Sequence, residues 1–273
     1  MSEQQEADRL ALDLAVQANF TAYLRKFSRL PGVELHEEPD ITWFVSTLGA
    51  PGNHVVRTRL DPSADMRARL RAVLEQVSQK VDRLDWLLFP GDGPPEAAQH
   101  LAALGLQAQH NGAWMVADLL DTPPLPSSPP GLSLRRVADA AMLAIWHQVS
   151  AEGYEMSFEA IRPYHDAYLL DRFNPAGDCL QALGYVAGEA VTSGTLLCTP
   201  EIAGLYDIST PPRFRRRGYG AALTAWLMEM ARARGYRYAC LVASPAGERL
   251  YHRLGFRLRF RPIEYVWRRT KWE

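Results

Sequence analysis

Four arginines and two glycines fall within eight residues, Arg213-Phe-Arg-Arg-Arg-Gly-Tyr-Gly220. The run follows a strand-like segment, Ala203 to Thr210, and the pair Pro211-Pro212. It opens onto a helical pattern, Gly220 to Arg234, with Leu223, Leu227, Met230 and Ala231 at helical spacing and Gly235 as its stop. The first turn of a helix presents backbone N–H groups without intrahelical partners, and the helix dipole favours negative charge there. Gly218 and Gly220 let a phosphate approach the backbone, while guanidinium groups neutralise its charge. This predicts capture of a pyrophosphate-bearing ligand. A solvated basic turn uses the same residue types, but strand, prolines, arginines, glycines and helix in this order favour the ligand. Neither GxxxxGK[ST] nor a dinucleotide GxGxxG fingerprint is present.

The elements that must position this loop alternate along the chain. Cys179 to Val186 and Ala190 to Leu197 read as strands around a tight turn at Gly188-Glu189. Tyr238 to Ala243 is β-rich, Ala246 to Leu254 is a short helix closed by Gly255, and Phe256 to Phe260 and Ile263 to Arg268 are the last strands. Such an order predicts an α/β layer with at least one face of the sheet covered. Upstream, Thr122 to Gly131 holds five prolines in ten residues and reads as an extended linker. It is expected to divide the chain into residues 1–121 and 131–273, with 122–130 between them. The first part repeats the later order: strand Val55 to Leu60, helix Met66 to Val81, strand Asp85 to Phe89, helix Pro94 to Leu104, strand Trp114 to Leu119. Residues 95–106 align with 245–256, sharing Leu-Gly, so a repeat is inferred from element order and spacing.

Two motifs resemble those of a known family. Arg215-x-x-Gly218-x-Gly220 resembles the Q/R-x-x-G-x-G/A signature of the GCN5-related N-acetyltransferases (GNATs), with Pro212 three residues ahead. Ser244-Pro-Ala-Gly-Glu-Arg-Leu-Tyr251-His-Arg-Leu-Gly255-Phe256 resembles the family's N-x-x-A-x-x-L-Y-x-x-x-G-F. The resemblance covers residues 131–273 in element order, with Ser244 where Asn is usual and Gly247 where Ala is usual. It implies an α/β (α+β) fold: two GNAT-like mixed-sheet domains in tandem, the C-terminal one complete. Two central parallel strands would part to admit acetyl-CoA. The backbone of Ile208, Ser209 and Thr210 would hold its pantetheine. The amides of Arg216, Arg217, Gly218, Tyr219, Gly220 and Ala221 would hold its pyrophosphate, with Arg215 and Ser244 as further cofactor contacts.

The implied reaction moves acetyl from acetyl-CoA to a primary amine of a small molecule or peptide by direct attack on the thioester. An amine of pKa about 10 is mostly ammonium at neutral pH, so attack requires proton removal. Tyr251 occupies the family's general-acid position. The base is left open, with Asp207 and Glu189 as candidates and Glu152, Glu155 and His165 in the region that shapes the acceptor pocket. The alternative is a module that binds acyl-CoA as a sensor without turnover. Within residues 1–121, the stretch Leu60 to Asp65 has no glycine and two carboxylates, and Leu101 aligns with Tyr251. That domain is expected to keep the architecture without the cofactor site.

The remaining composition is restrictive. Across 273 residues, Lys+Arg 30 nearly balances Asp+Glu 31, giving a net charge of -1, and 47% of residues are hydrophobic. This argues against disorder and removes the basic excess that nucleic-acid binding requires. No apolar run is long enough to span a membrane and the first ten residues are polar, so a soluble cytoplasmic protein is expected. Cys179, Cys198 and Cys240 lie in or beside apolar strand patterns and read as buried thiols. The seven histidines show no ligand spacing, and no HExxH or CxxC occurs, so no metal is expected. The seven tryptophans, Trp272 included, read as core or domain-interface residues, and Arg257, Arg259 and Arg261 as the wet face of a strand.

Overall fold

The computed structural model describes residues 3–62, 65–110, 112–124 and 127–269, so Trp272, and Leu125 and Pro126 of the proline-rich segment, lie outside the described residues. Two compact units emerge: residues 1–111 with 260–273, and residues 112–259.

The first unit begins with a long helix, α1 (Glu3–Phe27), followed by β1 (Val33–Glu37), β2 (Ile41–Ser46) and β3 (His54–Thr58). Then come α2 (Met66–Ser78), β4 (Arg83–Leu88), α3 (Ala97–Ala103) and β5 (Gln107–His110). Helix α2 forms because Leu70, Val73, Leu74 and Val77 recur on one buried face, and Asp65 caps it by accepting from the Ala68 N–H at 3.0 Å. They pack with Trp43, Trp86 and Leu101 into one core.

The second unit contains β6 (Ala113–Asp118), β7 (Leu132–Arg136), α4 (Ala140–Tyr154), a 3-10 turn at Glu159–Ile161 and α5 (Arg162–Leu169). A meander of β8 (Cys179–Val186), β9 (Glu189–Cys198) and β10 (Ala203–Ser209) follows. Next are α6 (Tyr219–Ala233), β11 (Tyr238–Ala243), α7 (Glu248–Arg253) and β12 (Arg257–Phe260), and the chain's last strand is β13 (Ile263–Arg268). Among the described residues, no helix is long and apolar enough to cross a membrane.

The sheets do not follow the expected division at residues 122–130. One runs β1-β2-β3-β4-β13-β5, the other β12-β6-β11-β10-β9-β8-β7. Strand β13, expected in the second domain, runs antiparallel between β4 and β5 of the first. Strand β6, expected in the first, pairs antiparallel with β11 along its whole length. Each half of the chain thus lends one strand to the other's sheet. The physical reason is burial: Ala113, Met115 and Ala117 of β6, with Leu119 just after it, belong to the second core, and Tyr265 of β13 to the first. Apolar composition marks a strand but not the sheet it joins. The proline-rich segment is accordingly no linker between units: it carries the chain from β6 to β7 within the second. A Cβ at Gly255 would lie 2.7 Å from Pro123, and one at Gly218 would lie 3.3 Å from Pro129.

The internal repeat is visible in both units. Helices α3 and α7, offset by 150 residues, both end on a leucine, Leu104 and Leu254, with the same backbone conformation (φ −87°, ψ 4°).

Candidate active site

In the second unit β10 and β11 run parallel but pair only through Ala203↔Ala239 and Gly204↔Cys240. Beyond Gly204 the two strands part. On its other edge β10 stays paired with β9 through Tyr206↔Thr195, then slips register to Ser209↔Ser193. Asp207 and Ile208 form the bulge, and Asp207 takes a left-handed backbone (φ 53°), which few non-glycine residues adopt. The Ser209 carbonyl accepts from Thr192 Oγ1 at 2.7 Å and the Thr210 carbonyl from Arg215 Nε at 3.1 Å. Gly153 of α4 is needed beside them, since a Cβ there would lie 2.5 Å from Ser209 Oγ.

The arginine loop sits at the mouth of this gap, but its four side chains divide. Arg213 pairs with Glu152 and, at 3.4 Å, with Glu189. Arg215 donates to the Gly153 carbonyl at 2.8 Å and pairs with Glu155 at 2.8 Å, tying the end of α4 to the end of β10. These two guanidinium groups are therefore structural ties. Arg216 and Arg217 remain exposed, Arg217 near the Phe214 ring. Gly218 is the N-cap of α6 with φ 82°, and no side chain caps the helix, so the amides of Tyr219, Gly220 and Ala221 open the first turn without a side-chain acceptor at the cap.

Tyr251 lies on α7 and is partly buried, packed edge-on against Phe256 with ring centroids 5.9 Å apart. Burial pushes its phenol up to about 12. The departures from the second motif explain one another. Ser244 Oγ accepts from the Gly247 N–H at 3.3 Å, closing the turn into α7. A Cβ at Gly247 would lie 3.0 Å from the Tyr251 ring and 3.4 Å from Ser244 Oγ, so an alanine there would crowd the tyrosine.

On the α4–α5 side, Asp207 borders a small cavity of about 70 Å³. Trp146, Ile161 and Met156 supply its apolar wall, and Tyr154, Tyr164 and Ser150 complete it. Trp146 is fixed by its indole N–H, which donates to the Gly194 carbonyl at 3.1 Å. The Tyr168 hydroxyl donates to Asp207 Oδ2. Burial, and then Asp207, hold the phenols of both Tyr154 and Tyr168 well above their ordinary value. Tyr154 is 48% exposed, so that burial acts on its hydroxyl end rather than on the whole side chain. Sequence reading missed these tyrosines by searching the same region for charges alone; their spacing on α4 and α5 was the available signal.

The other candidates are occupied elsewhere. Glu152, Glu155 and Glu189 are held by Arg213 and Arg215 as above, and His165 Nδ1 sits 3.0 Å from Asp166. Of the two candidate bases, only Asp207 borders the cavity. Cys179, Cys198 and Cys240 are buried thiols that form no disulfide, and burial raises Cys240 to about 12. Among the described residues no cluster of three or more His, Cys, Asp or Glu side chains is arranged for a metal.

The corresponding place in the first unit is filled by the chain itself. Strands β3 and β4 are also parallel and pair only through His54↔Asp85 and Val55↔Trp86. Beyond them Gly93 pairs with the end of β3, its N–H donating to the Thr58 carbonyl at 2.9 Å and its carbonyl accepting from the Leu60 N–H at 3.0 Å. The Trp86 indole N–H donates to Thr58 Oγ1 at 2.9 Å, and Asp92 accepts from Gln17 Nε2 of α1 at 3.0 Å. Leu101 is fully buried.

Residues 180–258 match the family model described as an acetyltransferase (GNAT) domain. No curated protein matches the chain in sequence. Solved structures similar over most of the chain include a GCN5-related N-acetyltransferase from Kribbella flavida, 17% identical, with TM-score 0.66 over 94% of this chain and 96% of that one. Another, from Sphaerobacter thermophilus, is 15% identical, with TM-score 0.63 over 88% of this chain and 78% of its own. A tandem GNAT protein from the clavulanic acid biosynthesis pathway is 14% identical, with TM-score 0.62 over 89% of this chain and 85% of its own. The fold is that of two GNAT-like domains in tandem.

Proposed function

We propose that the second unit is an acyl-CoA-dependent N-acyltransferase that moves acetyl from acetyl-CoA to a primary amine, and that the first unit takes no cofactor. The observation that carries this reading is the parting of β10 from β11 at a bulge that also borders an apolar cavity. Donor and acceptor can then meet at one backbone position. The fit to acetyl-CoA is supported at two points. Ile208 and Ser209, on the stretch of β10 without a β11 partner, and Thr210 just after it are where the amides of a pantetheine arm can pair as an added strand. The uncapped N-terminus of α6, with Arg216 and Arg217, suits a pyrophosphate. Arg213 and Arg215 hold the loop's shape rather than the ligand.

Acetyl-CoA supplies the activated acyl group; the chain supplies position and proton transfer. Asp207 accepts a proton from the ammonium, leaving an amine able to attack the thioester carbonyl. The Ile208 N–H, at the bulge where the β9 register slips, donates to the carbonyl oxygen as negative charge grows there. Tyr251 gives its proton to the departing sulfur and regains one from the new amide nitrogen. The products are an amide and a thiol, with one proton passed to solvent through Asp207.

Calorimetry with acetyl-CoA tests the reading. The parent is expected to bind at one site per chain, and Gly218→Glu, which charges and blocks the helix N-terminus, to lose that site. Arg216→Glu is expected to weaken it without adding a group to a glycine. Two sites per chain would show that the first unit binds after all, and no binding by the folded parent would sink the reading. Binding without thiol release on any amine would favour the sensor alternative.

A further inference from the structure

The cavity beside Asp207 carries more information than the presence of an acceptor site. Resting on the acyltransferase reading above, we infer that the acceptor is a primary monoamine with an apolar body, an arylalkyl- or alkylamine, and not an α-amino acid or a polyamine.

Charge is the first argument. Among the described residues lining the cavity, Asp207 is the one with a formal charge, and no lysine, arginine or histidine is among them. A carboxylate on the acceptor would enter beside Asp207 without a cation to meet it, which desolvation makes costly. A second ammonium would fare little better. The carboxylates nearest in sequence to the mouth, Glu155 and Glu159, pair with Arg215 at 2.8 Å and Arg162 at 3.7 Å.

Hydrogen-bond direction is the second. Ser150 Oγ lies 2.9 Å from Ser193 Oγ, which lies 2.8 Å from Ser209 Oγ, which in turn donates to the Val149 carbonyl. A carbonyl only accepts, so each hydroxyl in the chain donates toward it. Ser150 spends its hydrogen on Ser193 and shows the cavity lone pairs. Together with Asp207 it offers acceptors, and the Tyr154 and Tyr164 hydroxyls can accept as well as donate, which suits an ammonium with three N–H donors. The rings of Trp146, Tyr154 and Tyr164 add π surface that attracts a cation.

Size is the third. A 70 Å³ space is about half the roughly 150 Å³ that holds a benzene. It seats the ammonium and its first carbons. The rest of the molecule must lie at the mouth, where Tyr154, Met156 and Phe158 are each about half exposed. An apolar body covers that surface, and a charged one leaves it bare.

Thiol release from acetyl-CoA, measured on the full chain with 2-phenylethylamine, pentylamine, phenylalanine and spermidine, tests this. The two monoamines are expected to exceed phenylalanine and spermidine by about 100-fold in kcat/KM, a factor in the range that differential burial and charge supply. Phenylalanine differs from 2-phenylethylamine by the carboxylate alone. Ser150→Ala is expected to raise KM for 2-phenylethylamine about tenfold, as loss of one hydrogen bond to a charged group does. Met156→Arg, at a half-exposed position, is expected to shift the ratio toward phenylalanine. Preference for phenylalanine or spermidine, or binding of acetyl-CoA with turnover of none of the four amines, overturns the acceptor assignment. Failure to bind acetyl-CoA in calorimetry fails the acyltransferase reading instead, so the two outcomes are separable.

Discussion

The Tyr168 hydroxyl donates to Asp207 Oδ2 at 2.5 Å, reaching from α5 to the bulge of β10. Tyr168 is fully buried and packs edge-on against Trp146, so the donor is rigid. It fixes the carboxylate's direction without touching the acceptor. Tyr168→Phe is expected to lower kcat about tenfold and to leave acetyl-CoA affinity unchanged, because a hydrogen bond to a charged group contributes about 1.5–3 kcal/mol. Steady-state kinetics beside calorimetry checks it; an unchanged kcat would make the bond purely structural.

Tyr251 is the proposed acid, and a phenol held near 12 keeps its proton at every working pH. Tyr251→Phe is expected to cost about 10²–10⁴ in kcat, the usual contribution of a positioned acid. Acetyl-CoA should still bind. An activity that survives intact would move the acid elsewhere.

Gly247→Ala restores the residue usual in the family's motif, yet it is expected to impair this chain. Gly247 is the N-cap of α7 and already has a helical backbone (φ −85°, ψ −25°) that alanine adopts without strain, so the fold should persist. The new methyl, 3.0 Å from the Tyr251 ring, would instead displace the acid. The expected result is a several-fold lower kcat with a nearly unchanged melting temperature. A fall in both would point to local unfolding.

Alkaline stability follows from burial. Cys240, ordinarily near 9, is raised to about 12 inside β11, and Tyr251 is raised likewise from 10. A raised folded-state pKa gives stability that is complete below the unfolded value and disappears as pH climbs through the folded one. Melting temperature should therefore fall from about pH 9 to pH 12, with Cys240 contributing up to about 4 kcal/mol across three pKa steps. Cys240→Ala should flatten that fall. Equal slopes in parent and variant would show that the thiol is not the group responsible.

The family resemblance was the most legible part of the sequence, because both of its motifs lie within residues 180–258, the stretch that matches the acetyltransferase domain model. The strand bounds Cys179–Val186, Tyr238–Ala243 and Ile263–Arg268 could be read from β-rich composition and glycine stops. Which sheet β6 and β13 join could not, since apolar, β-rich composition marks a strand without naming its neighbours. Arginine side chains were misleading for a related reason. Arg213 and Arg215 carry the charge of a phosphate loop, but the glutamates that claim them are 24–61 residues away in sequence. The tyrosines around Asp207 were invisible as a group until α4 and α5 brought them to one bulge.

The exchange of β6 and β13 also bears on the order in which the protein can be made. When residues 1–111 have left the ribosome, their sheet still has an empty lane between β4 and β5, and the strand that fills it, β13, is made only after every strand of the second unit. Until then two strand edges stay open, and open edges invite pairing with other chains. Residues 1–111 must wait for residues 263–268. A nascent chain stopped short of Ile263 is thus an unfinished first unit beside a second unit already holding its full set of strands.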